Sequence, residues 1–190
     1  KEGALPVDLN IIEERTVGPS LGQDSIEAGV KAAILGFTGI LVFMMLYYRL
    51  AGFISGVGLV LNAIFQMALL SWLGFTLTLP GIAGIILTAG MAVDANVLIY
   101  ERMKEELANG KSVRMAVSLG FDRAFWAIFD GNLTTLISAF VLAQFGTGPI
   151  KGFAVTLTIG LIVSMFVSLY ITRFVYELIS LNKKIKRLSI

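Results

Sequence analysis

Apolar residues gather in five stretches, Val30 to Tyr48, Phe53 to Leu73, Leu79 to Tyr100, Phe129 to Phe145 and Phe153 to Phe174. Each approaches the roughly 20 residues that an α-helix needs to cross a ~30 Å hydrocarbon layer. The pattern predicts an all-α fold, a polytopic membrane bundle of five transmembrane helices. Between the third and fourth stretches the chain turns charged, from Glu101 to Arg123, with Asn109-Gly110 placed to end one helix and Ser112 to cap the next. Val113, Ala116, Val117, Phe121, Ala124 and Phe125 then share a stripe from which Arg114, Asp122 and Arg123 are excluded. That spacing predicts a short amphipathic helix on the cytoplasmic membrane surface.

Ahead of the first span, Leu5 to Ile11 alternates polar and apolar as a strand does, until Gly18-Pro19-Ser20 breaks it. The expectation is the last strand of a water-exposed domain lying upstream, with a disordered tail as the alternative. The organisation expected is a junction over 1–27 and a membrane domain over 28–176, which holds the loop and surface helix at 101–128. A basic cytoplasmic tail over 177–190 follows.

Composition narrows the chemistry. Of 190 residues 56% are apolar, and there is neither cysteine nor histidine. This removes disulfides, thiol nucleophiles, imidazole-based triads and the usual zinc or haem ligands, so no cofactor, no metal and no enzyme activity is expected. Nothing in the charge pattern points to nucleic acid. Sorted by side of the membrane, Arg49, Arg102, Lys104, Lys111, Arg114, Arg123, Arg173, Lys183, Lys184, Lys186 and Arg187 fall together. Only Lys1, Arg15, Lys31 and Lys151 fall opposite. The positive-inside rule then puts the C-terminus in the cytoplasm and the N-terminal segment outside.

Without a hydrophobic force between helices in lipid, small residues and polar contacts mark packing faces. Gly148, Gly152, Thr156, Gly160, Ser164, Ser168 and Thr172 recur every fourth residue through the last span. Ala28, Ala32 and Gly36 do so in the first, and Gly52 and Gly56 open the second. Polar residues also share faces: Gly58, Asn62 and Gln66 in the second span, Asn132, Thr135, Ala139 and Ala143 in the fourth. They serve either as glue between helices or as part of a functional interior.

One ionised side chain stands inside a span. Asp94 is seven residues before Glu101, about 10 Å along the helix from that charged boundary. Insertion scales charge about 2.5–3.5 kcal/mol for an aspartate near the membrane centre, which packing alone gives no reason to bear. Ala83, Leu87, Gly90, Val97 and Glu101 share its face, and small Gly90 is expected to admit a neighbouring helix close to an interior site. A low dielectric disfavours the charged form of a carboxyl, so a group at that depth can serve as a proton carrier. The other reading is a structural aspartate hydrogen-bonded to Asn62, Gln66 or Asn132. Asn96 and Thr135 complete the polar network expected around it. Lysine and arginine are missing from the middle of every span, so a paired cation has to come from another chain. An intramembrane aspartyl protease needs two neighbouring carboxylates, and Asp130, at a span boundary beside Phe129, is the sole further candidate.

The string from Gly90 to Arg102, Gly-Met-Ala-Val-Asp-Ala-Asn-Val-Leu-Ile-Tyr-Glu-Arg, resembles the signature of the SecD family of bacterial protein-export subunits. Glu14-Arg15-Thr16-Val17-Gly18-Pro19-Ser20-Leu21-Gly22 resembles the junction before that family's second span. Asp130 to Leu136 and Phe145 to Ala154 resemble its fifth span and the turn after it. Gly131 and Tyr100 stand where alanine and phenylalanine are common in the family. The resemblance implies spans two to six of a longer protein of the resistance-nodulation-division superfamily, a multi-pass protein of the bacterial inner membrane. It further implies work alongside SecF and the SecYEG translocon on a translocating unfolded preprotein, driven by the proton-motive force. Asp94 occupies the position of the family's proton-carrying aspartate, which acts with polar and basic residues of SecF. The family's first span and large external domain precede the Glu14-Arg15-Thr16 block and are not in this chain.

Overall fold

The computed structural model describes residues 19–181, with side chains over 24–180. The expected strand at Leu5 to Ile11 and most of the basic tail lie outside the described residues. Six α-helices follow one another: α1 (Pro19–Tyr48), α2 (Leu50–Trp72), α3 (Leu79–Ala108), α4 (Val113–Phe145), α5 (Pro149–Phe166) and α6 (Thr172–Leu181). A π-helical turn, Val167–Ile171, joins the last two into one rod. Five segments are long and apolar enough to cross a membrane, Asp24–Tyr48, Leu50–Trp72, Leu79–Ala108, Val113–Phe145 and Pro149–Ser180. They coincide with the five stretches read from hydropathy, and no strand occurs among the described residues.

The turns form where local chemistry demands. Thr78 caps α3 by accepting a hydrogen bond from Gly81 N at 3.2 Å, two residues ahead of Pro80 in the first helical turn. Gly110, at φ 77°, follows Asn109 and lets the chain leave α3, and Ser112 caps α4 through Met115 N. α1 and α2 meet in a corner of a single residue, Arg49. Gly52 makes that corner possible, because a Cβ there would lie inside the carbonyl of Met44. Neither backbone can yield cheaply, so Gly52→Val is expected to open the corner and cost well over 2 kcal/mol. Reduced folded yield in detergent checks this.

The amphipathic stripe at Val113 to Phe125 is not a separate surface helix but the first third of α4, continuous with the fourth span. Its apolar face has a protein partner rather than the membrane surface. Val117, Phe121 and Ala124 are buried in one cluster with Tyr100 and Met103 of the extended α3 and Tyr176 of α6, and Ala116 is buried as well. Gly120 removes the last obstacle, since a Cβ there would sit 2.5 Å from Met103 Cγ. Tyr48, Tyr100, Tyr176 and Phe121 contact in succession as tilted ring pairs at centroid distances of 5.4, 5.7 and 6.1 Å, tying α1, α3, α6 and α4 together at this end. Glu106, buried, pairs with Arg123 of α4 across the same layer.

α3 and α5 form the central pair, with α2 and α4 flanking them. α1 is peripheral, and of its described residues only Met44 and Tyr48 are buried. The fourfold stripe of the last span supplies the contact face. Thr156, Gly160, Ser164, Ser168 and Thr172 are all buried. Four residues overshoot a 3.6-residue turn, so such a stripe drifts by about 40° per step around a regular α-helix. The wider π turn reverses the drift, and Thr172 Oγ1 donates to Val167 O five residues back, at 3.1 Å. The stripe therefore faces α3 at Gly160, which lies against Thr88, and α2 at Thr172, which lies against Gly58.

Candidate functional site

Asp94 is placed by α3 on the outer face of the bundle, exposed in this chain rather than interior to it. This corrects the expectation of a buried site. It lines an open groove of about 210 Å³ between α3 and α4, together with Met91, Ala95, Leu98, Ala127, Ile128, Gly131 and Asn132. Asp94 makes no hydrogen bond or ion pair among the described residues. Asn132 Nδ2 is held by Ile128 O at 2.7 Å, while its Oδ1 is buried without a partner. The groove thus joins a free carboxylate to an amide with acceptor capacity to spare, and its floor of Ala95, Ala127 and Gly131 leaves room for another group to enter.

The remaining network residues divide from Asp94. Asn96 is two residues on, about 200° around the helix, and so turns into the bundle, where its Nδ2 donates to Ser55 Oγ of α2 at 3.1 Å. Gln66 belongs to a second interior knot. Its Nε2 donates to Thr156 O of α5 at 3.0 Å and its Oε1 accepts from Thr88 Oγ1 of α3 at 3.2 Å. Asn62, one turn before Gln66 on the same helix, is buried with its Nδ2 unpartnered. Thr135 is half-buried and bonds its own helix at Gly131 O. Asn132 alone of the expected supporting residues lines the groove with Asp94. Asn96 and Gln66 are glue between α2, α3 and α5, the plainer of the two roles considered for such residues.

The glycines expected to pack helices divide likewise. A Cβ on Gly160 would lie 2.6 Å from Gln66 Nε2 and from Thr88, and one on Gly152 would lie 2.5 Å from Thr78 Oγ1, so both are true contact points. Gly90 has nothing within 4 Å of such a Cβ, because its face is the unoccupied one beside Asp94. Gly148 also meets nothing, and its φ of 50° identifies it as a turn residue ahead of Pro149. Sequence reasoning passed over Ser55, Gly84 and Thr88. Gly81, Gly84 and Thr88, at spacings of three and four, were the available sign that α3 has a second, inward small-residue face.

Exposed small or polar residues continue around the groove. Ala127, Gly131, Thr134 and Ser138 form one row on α4, and Ala83 and Asp94 stand on α3 with half-buried Gly90 between them, the row being interrupted by one large exposed side chain, Leu87. Elsewhere the outer surface carries large lipid-compatible side chains such as Leu35, Leu46, Trp72 and Phe145. A face of small residues around a carboxylate is unlike a lipid-facing surface, and it is shaped for close approach by other helices.

The family model for the protein export membrane proteins SecD and SecF, C-terminal, matches residues 2–181. The chain belongs to the SecD/SecF family. Protein translocase subunit SecD of Syntrophobacter fumaroxidans is 55% identical over 190 residues, which are all of this chain and 36% of that protein. SecD of Endomicrobium trichonymphae is 58% identical over 177 residues, 93% of this chain and 37% of the relative. The chain therefore spans little more than a third of the length of these SecD proteins. Among solved structures it matches SecDF from Thermus thermophilus, described as a translocon-associated membrane protein. The TM-score is 0.85 at 44% identity, covering 91% of this chain and 24% of that one. SecDF in a super-membrane-facing form gives 0.82 at 44% identity, over 95% and 25% of the two chains. Fold and family thus agree with the signature around Asp94.

Proposed function

We propose that this chain is the proton-handling membrane part of a SecD subunit, in which Asp94 takes up and releases protons to help drive protein export. The observation that carries the reading is a carboxylate at membrane depth, free of partners in its own bundle, in a groove floored by small residues. An uncovered charge facing lipid is too costly to persist, so the α3–α4 face calls for a covering helix bundle that brings polar or cationic groups to Asp94. SecF is the proposed partner, with the SecYEG translocon and an unfolded preprotein as the wider assembly. The bacterial inner membrane is the proposed site, with the C-terminus cytoplasmic according to the sorting of basic residues. Protonation neutralises Asp94 and removes its attraction to the partner's cation. Two packings of the interface then differ in stability with proton occupancy, and that difference moves one bundle against the other.

The test is difference infrared spectroscopy of the full-length protein with SecF in liposomes, as pH is raised. A protonated-carboxyl band that disappears with rising pH and is missing from Asp94→Asn is the expected result. Identical spectra with and without the Asp94 carboxyl would leave only a membrane anchor beside the channel.

A further inference from the structure

Arg49 combines two features that nothing in the proton-carrying reading uses. It is the sole non-glycine residue with positive φ among the described residues, at φ 51° and ψ −115°, a region that glycine occupies freely and a side chain enters only at a cost. Its guanidinium is also unmatched. Arg102, Lys104, Arg123 and Arg173 each have a carboxylate, on Glu105, Glu101, Glu106 and the pair Asp122 and Glu177 respectively, whereas Arg49 is exposed with none, like Lys31, Lys111, Arg114 and Lys151, and differs from those four in standing at the strained α1–α2 corner.

Two apolar grooves begin one helical turn from that cation. The first runs between α1 and α2 along Leu41, Met45, Gly56 and Val60, with a volume of about 290 Å³. The second runs between α2 and the rod of the π turn and α6, along Ile54, Gly58, Ile171 and Val175, with about 170 Å³. Phe53, Val57 and Leu61 line both, so they form a ridge with a channel on either side. Arg49 N donates to Met45 O and Phe53 N donates to Arg49 O, which sets the Arg49 backbone one helical turn ahead of that ridge, within reach of its long side chain. The eight helical steps from Phe53 to Leu61 extend about 12 Å into the membrane, the reach of an acyl-chain segment.

We propose that Arg49 and the two grooves form a binding site for one anionic diacyl phospholipid. The phosphate sits on the guanidinium, which offers it a planar fork of donors, and one acyl chain lies on each side of the Phe53–Val57–Leu61 ridge. The negative headgroup matches an unpaired cation at the interface, and the paired tails match paired grooves. The α1–α2 corner keeps arginine despite its backbone cost because the corner is where the headgroup is held.

The inference rests on the chain spanning a membrane, not on Asp94 carrying protons. Asp94→Asn serves as the control and keeps the lipid. The full-length protein with its SecF partner is reconstituted with phosphatidylglycerol or phosphatidylcholine and examined by native mass spectrometry. The expected result is one retained phosphatidylglycerol and much less phosphatidylcholine. Arg49→Gly removes the cation while suiting the backbone, so it should melt no lower than the parent yet retain about fivefold less phosphatidylglycerol. Val60→Trp, which blocks a tail path without touching Arg49, should lower retention as well. Equal retention by parent and Arg49→Gly, equal retention of both lipids, or a protein helix cross-linked into the α1–α2 groove would overturn the proposal.

Discussion

Asp94→Asn in the full-length protein is expected to reduce export to the level seen without a proton gradient, while the subunit still inserts and assembles. Asparagine matches aspartate in size and hydrogen-bonding reach but cannot ionise, so the substitution isolates proton exchange from packing. No fold defect is expected, because Asp94 has no hydrogen bond or ion pair within its own chain to lose. Removing an ionisable group from membrane depth also relieves part of the insertion penalty, about 2.5–3.5 kcal/mol for an aspartate, since the asparagine amide is still polar. Asp94→Glu keeps the titrating group one methylene further from the helix and should retain part of the activity. Export by inverted vesicles, with and without an uncoupler, is the measurement. Wild-type rates for Asp94→Asn under a proton gradient would reduce the site to a structural feature.

Gly160→Val is expected to have the largest effect on the fold. The added Cβ alone would lie 2.6 Å from Gln66 Nε2 and from both Thr88 Oγ1 and Cγ2, so α5 must move away from α2 and α3 together. Overpacking at such a point costs about 1–3 kcal/mol. Separation would also break the Gln66–Thr156 and Thr88–Gln66 hydrogen bonds, and buried groups left unpaired cost about 1–3 kcal/mol each. The sum is comparable with the whole stability of an ordinary domain, so little folded protein should survive extraction. Gly90→Val makes the paired measurement. Nothing lies within 4 Å of its Cβ position, and its effect on the fold should stay within about 0.5 kcal/mol. A melting series in detergent on the two variants separates the inward glycine from the outward one. Equal effects would mean that α5 does not close on Gln66 and Thr88 as described.

Gly90 and Gly160 also mark where reading from sequence stops. Both stand in apolar spans at small-residue spacing, and only neighbouring helices distinguish them. The same limit divides the polar residues. Asn96 is only two positions from Asp94 along the chain, but a 3.6-residue turn sends it to the opposite face, toward Ser55. The α4 stripe shows a different limit. An apolar face at helical spacing has the same signature whether it meets lipid headgroups or protein, and here the extension of α3 to Ala108 and the Tyr176 side chain cover it.

Five membrane-length helices, the end signals at Asn109-Gly110 and Ser112, and the isolation of one carboxylate at depth were all determined by the sequence alone. These depend on hydropathy, capping and residue count, which are local properties of the chain. Which way that carboxylate points was decided only by the tertiary structure. α3 is the central helix, and its inward face is taken up by Thr88 and Asn96 against α2 and by Gly84 against Thr156 of α5. Asp94 lies on what remains, the outer edge against α4, beside Asn132.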